Sequence, residues 1–163
     1  MNLPPLKPAL SNKQGDDFAI STATLLELMQ AVLAKGAVFR FRAKGLSMTP
    51  FIKSGDEITV APASMEKPAV GKVVAFIQPA TGQLVVHRVI GRQGSAFLIQ
   101  GDNAVIQEDE LVPPEAVLGC VTRIERDGRR VFLGLGLERY LVAFLSRSGL
   151  LARLLWRLRT LKG

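Results

Sequence analysis

Histidine occurs once in this chain of 163 residues, at His87, and cysteine once, at Cys120. A lone cysteine excludes an internal disulfide framework and any cysteine-based zinc site. Its alternating surroundings predict a buried, inert thiol. No run of about 18 uncharged apolar residues occurs, so no spanning helix is expected. Nor does the N-terminus read as a signal peptide, because Pro4, Pro5, Pro8, Asp16 and Asp17 break residues 1–19. Acidic residues are scarce at the other end. From Val131 onward Glu138 is the one acid against six basic residues, leaving 15 basic and 13 acidic residues before it. The net charge of +7 is therefore concentrated in the C-terminal segment, which is expected to meet an anionic partner.

What is present is a chain 48% apolar and rich in glycine, long enough for one domain with a real core. Ser21 or Thr22 can cap a helix carrying Leu25, Leu28, Met29 and Val32 at helical spacing and ending at Gly36. That helix suits either a groove on the domain or a membrane surface. Strands are expected at 38–42, 57–60, 72–77, 84–90, 96–100, 117–125 and 130–135, the last two joined through Asp127-Gly128. Residues 101–114 read as a polar loop. Many short strands and few helices predict a mainly antiparallel β domain over 21–135, preceded by a mobile lead over 1–20. The remainder, 136–163, reads as a basic amphipathic segment. Its leucines from Leu150 to Leu161 fall on one helical face, opposite Arg153 and Arg157. Such a helix either docks on the β domain or lies in a lipid interface.

Residues 44–60 contain the most informative stretch. Ser47 lies between Gly45, which tolerates backbone angles closed to other residues, and Pro50, which fixes its own φ. A hydroxyl held by stiff backbone suits a nucleophile, and equally suits a turn-capping loop serine. Gly-x-Ser-Met-x-Pro-x-Ile-x-x-Gly-Asp-x-x-x-Val resembles the nucleophile box of the signal peptidase family and of its relatives, the self-cleaving repressors of the SOS response. The resemblance implies that Ser47 attacks a scissile carbonyl. Met48 and Pro50, in the same box, are the expected substrate-contacting positions.

In that superfamily the base is a Lys or, in the archaeal, endospore and endoplasmic-reticulum branch, a His. Val85-Val86-His87-Arg88-Val89-Ile90-Gly91 resembles the second catalytic box, with His87 in the base position; alone, it is also what a structural strand histidine would look like. Neutral imidazole can accept the serine proton near pH 7. A His base needs a third group to orient it. Gly101-Asp102-Asn103 resembles the family box that supplies one, making Asp102 the candidate orienter and Asp109 the alternative. Asp102 could otherwise simply close a turn. Lys72 is the fallback base, and the Ser47 backbone N–H the expected oxyanion donor. Val117 to Val121 resembles the closing strand, so the resemblance runs from Gly45 to Val121.

These readings converge on a serine endopeptidase of signal peptidase type, cutting an extended peptide bound as an added strand. The rival is a catalytically idle peptide- or protein-binding module held at a membrane. A repressor is not expected, because the 44 residues before the serine box are few for a DNA-binding domain and linker. The expected partners are a peptide or protein substrate and an anionic membrane surface, with the protein peripheral on the cytoplasmic face. No cofactor, metal or nucleic acid is expected.

Overall fold

Alternation of apolar and polar residues decides most of the architecture. A computed structural model describes residues 21–103, 109–150, 153, 154 and 157. The expected N-terminal lead, the stretch just after Asn103 and most of the leucine-faced C-terminal segment lie outside them. Helix α1 (Thr22–Ala34) is followed by strands β1 (Phe39–Arg42), β2 (Glu57–Pro62), β3 (Val73–Ile77), β4 (Leu84–Gln93), β5 (Ala96–Gln100) and β6 (Glu110–Val112). A 3-10 turn at Pro114–Ala116, β7 (Val117–Arg126), β8 (Arg129–Val131) and helix α2 (Arg139–Arg147) complete the described chain. All pairings are antiparallel, in the order β1-β2-β7-β3-β4-β5-β6 with β8 on β7. The mainly β expectation holds. β6 lies inside the stretch read as a loop, because its three residues alternate too briefly to register as a strand.

β3 is buried on both faces, which explains its unbroken run Val-Val-Ala-Phe-Ile. Val73 and Ala75 join a core with Met29, Leu33, Ile58, Val60 and Ile124. Val74 and Phe76 join a second core with Val89, Phe97, Ile99 and Val112. Cys120 belongs to the second core, its thiol directed at the Glu66 carbonyl, and burial pushes its pKa up to about 11. Ser21 caps α1, accepting a hydrogen bond from the Thr24 N–H at 3.1 Å. Met29 and Leu33 are its buried residues, whereas Leu28, expected on the packed face, is 49% exposed. The helix meets the sheet through a narrower stripe than its sequence period suggests. Asp127 and Gly128 both have positive φ, as a tight two-residue hairpin requires.

One close approach fixes a residue type. A Cβ built at Gly119 would stand 2.1 Å from the Ala61 carbonyl oxygen, where β2 and β7 pair. Gly119→Ala must part these strands and should cost about 3 kcal/mol or more, beyond ordinary overpacking. Gly94→Ala, at a turn with open space around it, should cost only about 1–2 kcal/mol for its left-handed backbone. Urea unfolding of the two variants checks the contrast; equal losses would contradict it.

Candidate active site

The serine loop is a compact turn clamped from two sides. Gly45 has φ 95°, turning the chain out of β1. The Leu46 carbonyl accepts from the Thr49 N–H at 3.1 Å and the Thr49 hydroxyl at 2.7 Å. Asn103 holds the same turn from the neighbouring loop: its N–H donates to the Ser47 carbonyl at 2.7 Å, and its Nδ2 donates to the Leu46 carbonyl at 3.2 Å. On the other side Asp56 accepts from the Lys53 N–H and takes a two-pronged ion pair from Arg126 on β7. Burial pushes the Asp56 carboxyl up, but the Arg126 and Lys53 hydrogen bonds and the Arg126 charge outweigh it and hold it below the usual carboxylate range. Neither clamp touches the Ser47 hydroxyl.

β4 supplies His87. It pairs with β3 along Leu84 to Arg88, but β5 joins its other edge only from Arg88 onward. The edge from Leu84 to His87 is thus left open, and it faces the serine loop across a cleft of about 340 Å³. Ser47 and His87 both line this cleft, with Thr22 and Leu25 of α1 at its rim. The imidazole is 5% exposed, with the Phe76 ring 6.1 Å away, and burial lowers its pKa to about 4. It is therefore neutral at pH 7. Among the described residues, none hydrogen-bonds it.

Asp102 does not sit where the sequence reading put it. Its two carboxylate oxygens accept from Arg88 Nε and Nη2, at 2.7 and 2.8 Å, with both side chains buried. The physical reason is Arg88 itself, a guanidinium inside a strand with 0% exposure, which demands a carboxylate partner. Burial raises the Asp102 carboxyl, against the pull of Arg88. The other positions sort as clearly. Met48 lines the cleft while packing in the first core. Pro50 is exposed and does not line the cleft; Asp109 is exposed, one residue before β6, and also lies outside it. Lys72 pairs with Glu66 and the Lys67 carbonyl away from the cleft. Sequence reasoning missed the roles of Arg88 and Asn103. A lone arginine inside the apolar run Val85–Ile90 was the available signal for a buried ion pair. Asn103 had none beyond its place in the Gly-Asp-Asn box.

Arg88 also donates Nη1 to the Gly71 carbonyl at 2.7 Å and the Gly134 carbonyl at 2.8 Å. Arg88→Met should leave Asp102 charged and unpaired and cost about 3–5 kcal/mol. Arg88→Lys should not rescue it, because an ammonium cannot serve both carboxylate oxygens in a planar fork while reaching two carbonyls. Urea denaturation of both variants provides the measurement, and wild-type stability in Arg88→Lys would contradict it.

Comparison with known families matches residues 8–122 to the family described as Peptidase S24-like. No curated protein matches the chain. The matched stretch is well over half of the sequence and contains the serine loop, the open edge of β4 and the Arg88–Asp102 pair. A serine peptidase type of site on a mainly antiparallel β fold agrees with that match, and the chain belongs to the Peptidase S24-like family.

Proposed function

We propose that the protein is a serine endopeptidase of signal peptidase type, in which Ser47 is the nucleophile and His87 the general base. The observation that carries this reading is the shared cleft, where Ser47 and the neutral imidazole of His87 line the same cavity. In this mechanism Ser47 Oγ attacks the scissile carbonyl carbon as its proton passes to His87. The tetrahedral oxyanion is received by the Ser47 N–H, which donates to no described residue. Collapse breaks the C–N bond, and His87 returns the proton to the leaving amine. Water then hydrolyses the acyl ester by the same path.

The substrate would lie as an added strand between two open edges, β1 and the Leu84–His87 part of β4. His87 in the base position supports the His-type branch of the superfamily. The second reading, an idle binding module, is favoured by the imidazole's lack of an orienting partner among the described residues.

Ser47→Ala and His87→Ala should each abolish cleavage of a peptide library and leave the fold intact, and the double variant should be little worse. A fluorophosphonate probe should label wild type at Ser47. The acid limb of kcat/KM reports the free base. Activity should fall as pH drops through the His87 value near 4, where imidazole protonates, rather than near 6.5. A limb near pH 9 that survives in His87→Gln would exclude His87 as base, and wild type that neither cuts nor labels would leave the binding-module reading.

An anionic membrane surface is the second partner in this proposal. Phe132, Leu133, Leu137, Leu141 and Phe144 are exposed from the end of β8 through α2, with Leu137 at 85%, and Arg130 stacks on the Phe132 ring. α2 is anchored by the buried Val142, Ala143 and Ser146. Exposed apolar residues beside a basic one match a headgroup interface, where each basic residue contributes about 1 kcal/mol. Among the described residues no helix is long and apolar enough to cross a membrane. Leu137→Ser with Phe144→Ser should release the protein from phosphatidylglycerol vesicles without lowering its urea midpoint. Unchanged flotation with those vesicles would remove α2 from the membrane interface.

A further inference from the structure

The cleft that holds Ser47 and His87 is asymmetric in charge. Arg42, Lys44 and Lys53 are among its fifteen lining residues, which include no Asp or Glu. The three cations converge because the turn after the serine loop folds back on the end of β1. Ala43 donates its N–H to the Asp56 carbonyl, and its own carbonyl accepts from the Gly55 N–H, both at 2.8 Å. Lys53 is thereby held beside Arg42 and Lys44, and all three are exposed.

Nearby carboxylates are engaged elsewhere. Glu57, the cross-strand neighbour of Arg42, pairs with Arg40, and Asp56 is held by Arg126. None of the three cations has an ion-pair partner among the described residues. The rest of the lining is largely apolar, with the open β4 edge from Leu84 to Val86 and the core residues Met48 and Ile52. A neutral strand laid here would leave three like charges crowded beside it. A strand bearing carboxylates would neutralise them at a partly enclosed surface, where charge pairs are screened less than in open water.

We propose that the cleft is selective for acidic peptides: Arg42, Lys44 and Lys53 are specificity-determining residues that read Asp or Glu side chains flanking the scissile bond. This rests on the peptidase reading of the same cleft. It adds the substrate's charge, which neither the family match nor the Ser47–His87 pairing supplies. The cations act on binding and steering, so neutral and acidic substrates differ mainly in KM and in salt dependence.

The test uses the full chain carrying Ser47→Ala and three twelve-residue peptides labelled with an uncharged dye. Each has a central Ala-Ala pair, flanked by Glu, Gln or Lys. Anisotropy titrations in 50 mM salt should rank Glu above Gln above Lys, with about tenfold between the first two, the scale of a few partly exposed ion pairs. The gap should shrink several-fold in 500 mM salt. Changing Arg42, Lys44 and Lys53 together to Gln should equalise the Glu and Gln peptides, and these exposed positions should leave the urea midpoint unchanged. Equal affinities, a Lys preference, no binding of the Glu peptide, or a triple variant that keeps the preference would each overturn the proposal. So would a triple variant that loses phosphatidylglycerol vesicles while its peptide ranking is unchanged, since the cations would then face a membrane. The two readings fail separately. Wild type that cuts Glu and Gln peptides equally well removes the selectivity and leaves the peptidase. Wild type that binds the Glu peptide, cuts none and resists a fluorophosphonate removes the peptidase and leaves an acidic-peptide site.

Discussion

The Arg88–Asp102 ion pair is the interaction on which the site depends. Two opposite charges at 0% and 1% side-chain exposure are expensive to desolvate, and the cost is offset by four hydrogen bonds from the guanidinium, two of them to the carboxylate. Its four hydrogen bonds tie β4 to the Gly101–Asn103 turn, to the Gly71 turn before β3 and to the Gly134 turn before α2. Gly134 has φ 96°, and a Cβ there would meet the Phe51 side chain at 2.9 Å, so the carbonyl offered to Arg88 comes from a residue that has to be glycine. Asp102 is held by Arg88, and the next residue, Asn103, clamps the backbone of Ser47. The route from Arg88 to the serine loop therefore passes through Asp102 and Asn103, first by a side-chain ion pair and then by a backbone hydrogen bond.

That arrangement assigns neighbouring residues opposite electrostatic tasks. Arg88 is charged, buried and held by four hydrogen bonds. His87, one residue before it on β4, is buried and has no hydrogen-bond partner among the described residues, so burial alone sets its pKa, and sets it low. Alternation along the strand makes this possible, since adjacent side chains point to opposite faces. The consequence is an imidazole that stays neutral over the physiological range but is a weak base. Proton affinity at His87 would rise only if something in the cleft, such as a bound substrate carbonyl, hydrogen-bonds its N–H and favours the imidazolium.

Charge is also segregated across the molecule. On one side Arg42, Lys44 and Lys53 crowd the cleft, while Arg40, Arg123, Glu57 and Glu125 neutralise one another on the neighbouring surface of β1, β2 and β7. On another, α2 exposes Tyr140, Leu141 and Phe144.

Much of this was legible in the chain. Apolar patterning placed six of the strands to within a few residues, though it missed β6 and ran the last strand to 135 where it ends at Val131; Gly45 and Pro50 marked a constrained serine loop and Asp127-Gly128 the hairpin, because each of these depends on residues within a few positions of one another. The mainly antiparallel β class followed from the same local signals. Tertiary structure decided the rest. Asp102 was legible as a box residue, but its partner was not, since two buried charges find each other only when β4 and the turn after β5 are brought together. Three cations spread over twelve positions came to line one cleft only when the 53–56 turn folded back on Ala43. Leu28 kept the helical period of α1 yet stayed exposed, because the width of the contact is set by the sheet beneath. Local sequence fixes which way a side chain points, but what it meets there depends on segments that arrive from elsewhere in the chain.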